Sequence, residues 1–337
     1  MGAKTFCPIC EEEVPVEAFK EVYVSPYNNQ EYKRYECPNC EVHWWEPLKI
    51  IPEFYESEVF EAYIAFHEGL RELPEWCKPF FQFFLNHIKG KLLDIGCGDG
   101  VFLKYAKESG FEVWGIDFDK NSVEVAKKSL GVDTIFAMSL EEFYAYAKKN
   151  DLKFDVITFF EVLEHQDKPK EFLTMVKELL KDGGYIAGSV PNRDRLFHEM
   201  EWKYFHVDFP PHHFLRFSKS SLEKTLQLSG FSDVVVYELD FPFREIFPYI
   251  EKKLFGNRLD SLKVKLKAWI VGSERKAKAY AAEELSKVGS KGYAVRILEN
   301  LRNLALLPFA IFYIGRLKGM GINLYFQAKK GFFKYEV

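Results

Sequence analysis

The sequence has no apolar run long enough to cross a bilayer. The longest uncharged one, Asn303 to Gly315, is too short and contains Pro308. No apolar targeting segment opens the chain, since Met1 to Cys7 leads straight into a cysteine pair. Both absences lead us to expect a cytoplasmic protein. There is no G-x-x-x-x-G-K-[ST] loop, which excludes the common nucleoside triphosphate cradle. The dinucleotide fingerprint G-x-G-x-x-G is missing as well: after Gly96 and Gly98 it would need a third glycine where Val101 stands. A pyrophosphate site, and with it a plain dehydrogenase, is disfavoured. Glutamine is scarce while Lys and Glu dominate the charge, a composition that suits a thermophilic source.

Excess charge is also scarce, at a net −4 over 337 residues. That total conceals an asymmetry, because residues 252–302 carry 13 Lys and Arg against 5 Asp and Glu. Only this basic stretch suits contact with a polyanion or an anionic membrane, here through 252–318. Elsewhere the chain is acidic, which argues against nucleic acid as a partner. What is abundant is aromatic: 33 Phe in a chain of 47% hydrophobic residues call for a large aromatic core or an apolar substrate cavity.

Lys91-Leu92-Leu93-Asp94-Ile95-Gly96-Cys97-Gly98-Asp99-Gly100 is an apolar run ending in an acid, followed by alternating glycines. Val101, Phe102, Tyr105 and Ala106 then recur at helical spacing. The pattern reads as strand, tight loop and helix, the opening unit of a doubly wound α/β sheet. A second strand, Glu112 to Ile116, ends at Asp117, where a carboxylate can accept both hydroxyls of a ribose. At the N-terminus, Cys7-Pro8-Ile9-Cys10 and Cys37-Pro38-Asn39-Cys40 are two C-x2-C knuckles around a hairpin turning at Pro26 to Asn29. Four thiolates in this arrangement make a zinc ribbon. A closed four-cysteine shell leaves no open position for water, so the zinc would be structural. Metal-free thiols or two disulfides are the alternatives. Cys77 and Cys97 read as small buried apolar residues rather than nucleophiles.

LLDIGCGDG followed by GID resembles the first two motifs of class I S-adenosylmethionine (SAM) methyltransferases. FDVI followed by Phe160-Glu161-Val162-Leu163-Glu164-His165, and the later KDGGYIAGSVPN, resemble the subgroup of ubiquinone-biosynthesis O-methyltransferases. The resemblance covers 92–231 and implies a seven-stranded Rossmann-like sheet. It implies that Asp94, Gly96, Gly98 and Gly100 lie against the cofactor, that Asp117 and Phe118 meet its ribose side, and that Phe160 and Glu161 neighbour the sulfonium. The acid that many relatives place after the third strand is absent. Met138 and Ser139 are expected to meet the adenine instead.

The expected organisation is a zinc ribbon over 1–50, a helical cap over 51–90 and a cofactor-binding core over 91–240. A helical insertion over 241–321 and the last strand with the C-terminus over 322–337 complete it. Within the cap, 53–69 and 74–89 read as amphipathic helices. In the insertion the apolar run is expected to be a core helix packed on the sheet. The acceptor loop is expected after the fifth strand, at 192–217. An oxygen acceptor benefits from a base near neutrality, so His165, His206 and His213 are the candidate general bases. For any one of them, capping, a hydrogen bond that orients a neighbour, or surface exposure is the plainer role. The resemblance implies methyl transfer to a small molecule, with an oxygen acceptor first. A carbon methyltransferase acting on a nucleotide-linked sugar, an RNA or protein methylase, and a non-catalytic binding protein on the same fold remain open.

Overall fold

A computed structural model describes residues 5–51, 72–84, 87–198, 208–256, 258–271 and 290–331. The expected helix over 53–69 lies outside them. Five strands come first: β1 (Thr5–Phe6), β2 (Glu13–Val14), β3 (Phe19–Val24), β4 (Glu31–Glu36) and β5 (His43–Glu46). The two knuckles repeat one backbone pattern. Cys7 N–H donates to Glu12 O and Glu11 N–H to Cys7 O; Cys37 N–H donates to Val42 O and Glu41 N–H to Cys37 O. Glu11 and Glu41 both take a left-handed φ, near +60°, to close these turns.

The main sheet holds seven strands: β6 (Gly90–Ile95), β7 (Phe111–Asp117), β8 (Ile135–Ala137), β9 (Phe154–Phe160), β10 (Leu180–Pro191), β12 (Phe231–Glu238) and β13 (Asn323–Lys330). Their order is β12-β13-β10-β9-β6-β7-β8. From β10 through β8 neighbours run parallel, and β13 enters antiparallel between β10 and β12. β9 is the most deeply set: Phe154, Val156, Ile157, Thr158 and Phe159 are fully buried, as a strand covered on both faces requires. The expected α/β fold with its last strand inserted after a helical excursion is therefore present.

The helices between strands start where the sequence supplies caps. Helix α1 (Lys78–Phe83) precedes the sheet, and α2 (Val101–Glu108) follows the glycine loop. α3 (Lys120–Leu130) is capped by Asp119 and ends at left-handed Gly131. α4 (Leu140–Lys149) opens on a Ser139/Glu142 capping box, α5 is Pro169–Leu179, and α6 (Lys219–Leu228) opens on Ser218. One helix differs from its expectation. The helix expected over 74–89 is only six residues long, because Phe84 turns extended to put its ring against Phe80, 4.6 Å away, and the edge of Tyr185. Asp182-Gly183-Gly184 forms an irregularity inside β10, which already pairs with β9 at Leu180.

The excursion holds α7 (Ile246–Phe255), α8 (Asp260–Val271) and α9 (Ser290–Ile311). Leu306 and Ala310 of α9 bury against Ile246, Phe247 and Ile250 of α7, so the apolar helix packs on another helix rather than on the sheet. Its other side leaves Leu304 at 66% exposure, and Phe312 just beyond it at 73%. Among the described residues no helix is long and apolar enough to cross a membrane.

Candidate active site

A cavity of about 460 Å³ opens at the carboxyl ends of β6, β7 and β9, where α/β sheets of this kind take their ligands. Its floor is the glycine loop. Gly96 stands in the wall with φ +77°, and a Cβ there would come within 2.7 Å of Val162 Cγ2. No side chain fits at that point, so the main chain is left bare for a ligand. Gly100 serves packing instead: a Cβ there would lie 2.9 Å from that of Ala126 in α3. Gly98 donates its N–H to Asp117 Oδ2 at 2.8 Å.

The wall is lined with buried acids. Burial pushes the Asp94 carboxyl up to about 8, although the Thr158 hydroxyl donates to it at 2.7 Å. Burial raises Asp117 to about 6, against the N–H groups of Gly98 and Asp119. Glu161 sits at φ +54°, a strained conformation for a residue with a side chain. Its carboxylate accepts from Ser189 Oγ at 2.6 Å and Asn323 Nδ2 at 2.8 Å, and burial raises it to about 7. A wall of desolvated carboxyl groups favours a cationic ligand, whose charge offsets the cost of ionising them.

Of the residues expected to meet the cofactor, Asp94, Gly96, Asp117, Phe118, Met138, Phe160 and Glu161 line this cavity. Gly98, Gly100 and Ser139 are not in its wall; Ser139 is held by its capping box. His165 and His213 line the cavity and are brought together with His212, their ring centroids 4.5 to 4.6 Å apart. His206 lies outside the described residues.

The histidines are oriented by acceptors. His165 Nδ1 donates to the His212 carbonyl at 2.6 Å, and burial lowers its pKa to about 3. His213 Nδ1 faces Asp208 Oδ1 at 2.6 Å. Burial would raise Asp208, but Arg195, His213 and Arg216 outweigh it and hold the carboxyl below the usual range. Arg195 pairs with Asp208 directly. Behind them Glu164 is fully buried, and among the described residues neither carboxylate oxygen has a hydrogen-bond partner. Asp208, Arg195 and Glu164 were not singled out from the sequence. Nothing local marks Asp208 as the partner of a histidine five residues later, whereas Glu164 lies in the EVLEH run and could have been flagged.

The four-cysteine cluster is separate from this cavity. Cys7 and Cys40 Sγ are 3.4 Å apart and Cys10 and Cys37 Sγ 3.5 Å, with all four sulfurs within 4.8 Å of one another. Zinc–sulfur bonds of about 2.3 Å set tetrahedral ligands roughly 3.8 Å apart, so the four sulfurs fit one ion. The cluster also supports the histidines. β11 (Leu215–Arg216) pairs with β5 as the fourth strand of the β3–β5 sheet, and Trp45 N–H donates to Phe214 O at 3.0 Å. Tyr23, Tyr32, Trp45, Phe209 and Phe214 bury together at this junction.

The methyltransferase domain family matches residues 67–236, half of the chain. A Schizosaccharomyces pombe protein named mitochondrial ubiquinone biosynthesis O-methyltransferase is 35% identical over 108 residues, 32% of this chain and 39% of the relative. A Pasteurella multocida ubiquinone biosynthesis O-methyltransferase is 37% identical over 120 residues, 32% of this chain and 49% of the relative. The chain thus spans less than half the length of the curated relatives it matches. The solved structure of Haemonchus contortus phosphoethanolamine N-methyltransferase 2 with SAM shares the fold, at TM-score 0.50 and 16% identity over 86% of this chain and 62% of that one. The chain belongs to the methyltransferase domain family.

Proposed function

We propose that the chain methylates a hydroxyl group of a small, largely apolar molecule, with SAM held at the glycine loop and zinc in the four-cysteine cluster. SAM supplies a methyl group already activated by its sulfonium. The bare main chain at Gly96 and the carboxyl groups of Asp94 and Asp117 hold the cofactor, with Phe118 and Met138 flanking its nucleoside part. Phe102 and Phe160 pack at 4.6 Å and exclude water where the methyl passes. The hydroxyl of the acceptor lies against His165 and His213, and its proton passes to His213, which Asp208 orients.

The observation that carries this reading is His213, paired with Asp208, in the wall of the same cavity as Asp94 and Asp117. An imidazole oriented by a carboxylate suits an oxygen acceptor, which must lose a proton. The sheet beside the cysteine cluster is completed by β11, which supports a role in buttressing the histidine loop over one as a free-standing recognition module. The test is incubation with SAM and a panel of hydroxylated aromatic acceptors, reading the demethylated cofactor by mass spectrometry. Turnover on phenolic hydroxyls, reduced about 10²–10⁴-fold in His213→Ala, supports it. Methyl transfer to carbon or nitrogen alone would overturn it.

A further inference from the structure

The imidazole cluster contains more than an acceptor base needs. Three histidines converge, and each offers a ring nitrogen within 4.8 Å of the others'. A carboxylate then points at two of them: Glu164 Oε1 is 3.8 Å from His165 Nε2 and 3.9 Å from His213 Nε2. These separations are too long for hydrogen bonds. Glu164 is fully buried and, among the described residues, its carboxylate makes no hydrogen bond, although burying a carboxylate unpaired is costly.

We propose that His165, His212, His213 and Glu164 form a second metal site, for a divalent first-row transition ion, at the acceptor side of the cavity. Two nitrogen or oxygen ligands about 2.0–2.1 Å from one ion stand roughly 3–4 Å apart, which brackets the Glu164–imidazole distances. Three imidazoles and one carboxylate suit zinc, iron, cobalt or manganese rather than calcium or magnesium, which take oxygen ligands.

The surroundings are those of metal-ligating histidines. Such residues give their other ring N–H to a carbonyl or carboxylate, which fixes the tautomer and aims the ligating nitrogen. His165 gives Nδ1–H to the His212 carbonyl, and His213 faces Asp208 through Nδ1. Asp208 is itself held by Arg195. The Glu164 carbonyl accepts from Phe214 N–H at 2.9 Å, which ties the ligand-bearing turn to the loop of His212 and His213. All three histidines also line the cavity, so an ion there can meet an acceptor oxygen and acidify its hydroxyl in place of a free imidazole base. This site rests on the methyltransferase reading for its purpose but not for its existence.

The experiment uses the metal-free full chain given one equivalent of zinc, which the four thiolates take. Co²⁺ is added, excess is removed, and bound ions are counted by elemental analysis while absorption is recorded. The expected result is one cobalt per chain beyond the zinc, without the thiolate charge-transfer band that cysteine ligation produces. His165→Ala and His213→Ala are expected to lose that ion. The near-isosteric Glu164→Gln keeps the fold and is expected to bind it at least tenfold more weakly, as is Asp208→Asn. No cobalt beyond the cysteine site in wild type overturns the proposal, and so does cobalt retained unchanged in both His165→Ala and Glu164→Gln. Calorimetric SAM binding on the same samples keeps the two readings apart. SAM bound without cobalt removes the metal site alone, and cobalt bound without SAM keeps the site but removes the methyl-transfer reading.

Discussion

Replacing Asp94 with asparagine is expected to strengthen the ligand-free fold while weakening cofactor binding. Asp94 is 3% exposed at the end of β6, and its one hydrogen-bond donor from a side chain is the Thr158 hydroxyl at 2.7 Å. An asparagine carbonyl accepts that bond equally well. Burial pushes the Asp94 carboxyl up to about 8, so at pH 7 the folded chain holds a proton that the unfolded chain has released. This linkage costs the wild type stability as pH rises from about 4 to about 8, and at pH 7 the ceiling is about 4 kcal/mol. Burying an amide in its place returns about 1–3 kcal/mol of that gain. A net gain of roughly 1–3 kcal/mol is left, or a few degrees in melting temperature. Differential scanning fluorimetry from pH 4 to pH 8.5 measures it. The variant's advantage is expected to be absent at pH 4 and to grow with pH, while SAM raises its melting temperature less than it raises that of wild type. A variant destabilised at every pH, or one that SAM stabilises as strongly as wild type, would refute the reasoning.

Three further outcomes follow from the same structure. Gly188→Ala places a Cβ 2.1 Å from Phe159 O and 2.8 Å from Phe326 Cζ in the middle of the sheet; a loss of about 2–4 kcal/mol in urea titration is expected, and wild-type stability would contradict the packing. Cys40→Ser is expected to release zinc, measured by a chelating dye. It also loosens the sheet that buries Trp44 and Trp45, so tryptophan emission shifts to the red; unchanged emission would show the sheet to be independent of the ion. Asp117, raised to about 6 by burial, must be ionised to accept ribose hydroxyls. SAM affinity is therefore expected to fall up to about tenfold per unit as pH drops below 6, with proton release on binding seen by calorimetry in two buffers; a flat profile from pH 5 to 7 would exclude the role.

The sheet was legible because its strands end in chemistry. LLDIG and GID pair an apolar run with an acid at the point where the chain must turn, and Asp119, Ser139 and Ser218 announce their helices by capping. The cysteine knuckles were legible for the same local reason. What the sequence did not reveal is long-range. Helix α1 stops early because the Phe84 ring is claimed by Phe80 and Tyr185, and the second partner lies a hundred residues away. β11 is two residues long and exists because β5 offers it an edge. Asp208 and Arg195 carry no periodicity and no motif of their own, and Glu164 lies in the EVLEH run with nothing there to mark its partners. Their meaning appears only when the loop folds back over the turn after β9 and sets them against three histidines.

The most direct measurement is calorimetric titration of SAM and its demethylated product into zinc-loaded wild type and Asp117→Ala. Asp117 already accepts the N–H groups of Gly98 and Asp119 and faces the cavity. Losing two charge-assisted hydrogen bonds of about 1.5–3 kcal/mol each predicts binding weakened by at least a hundredfold in a variant that still folds. Binding by wild type with that loss supports a cofactor site at the ends of β6 and β7. No binding by folded wild type, or equal binding by both proteins, contradicts it.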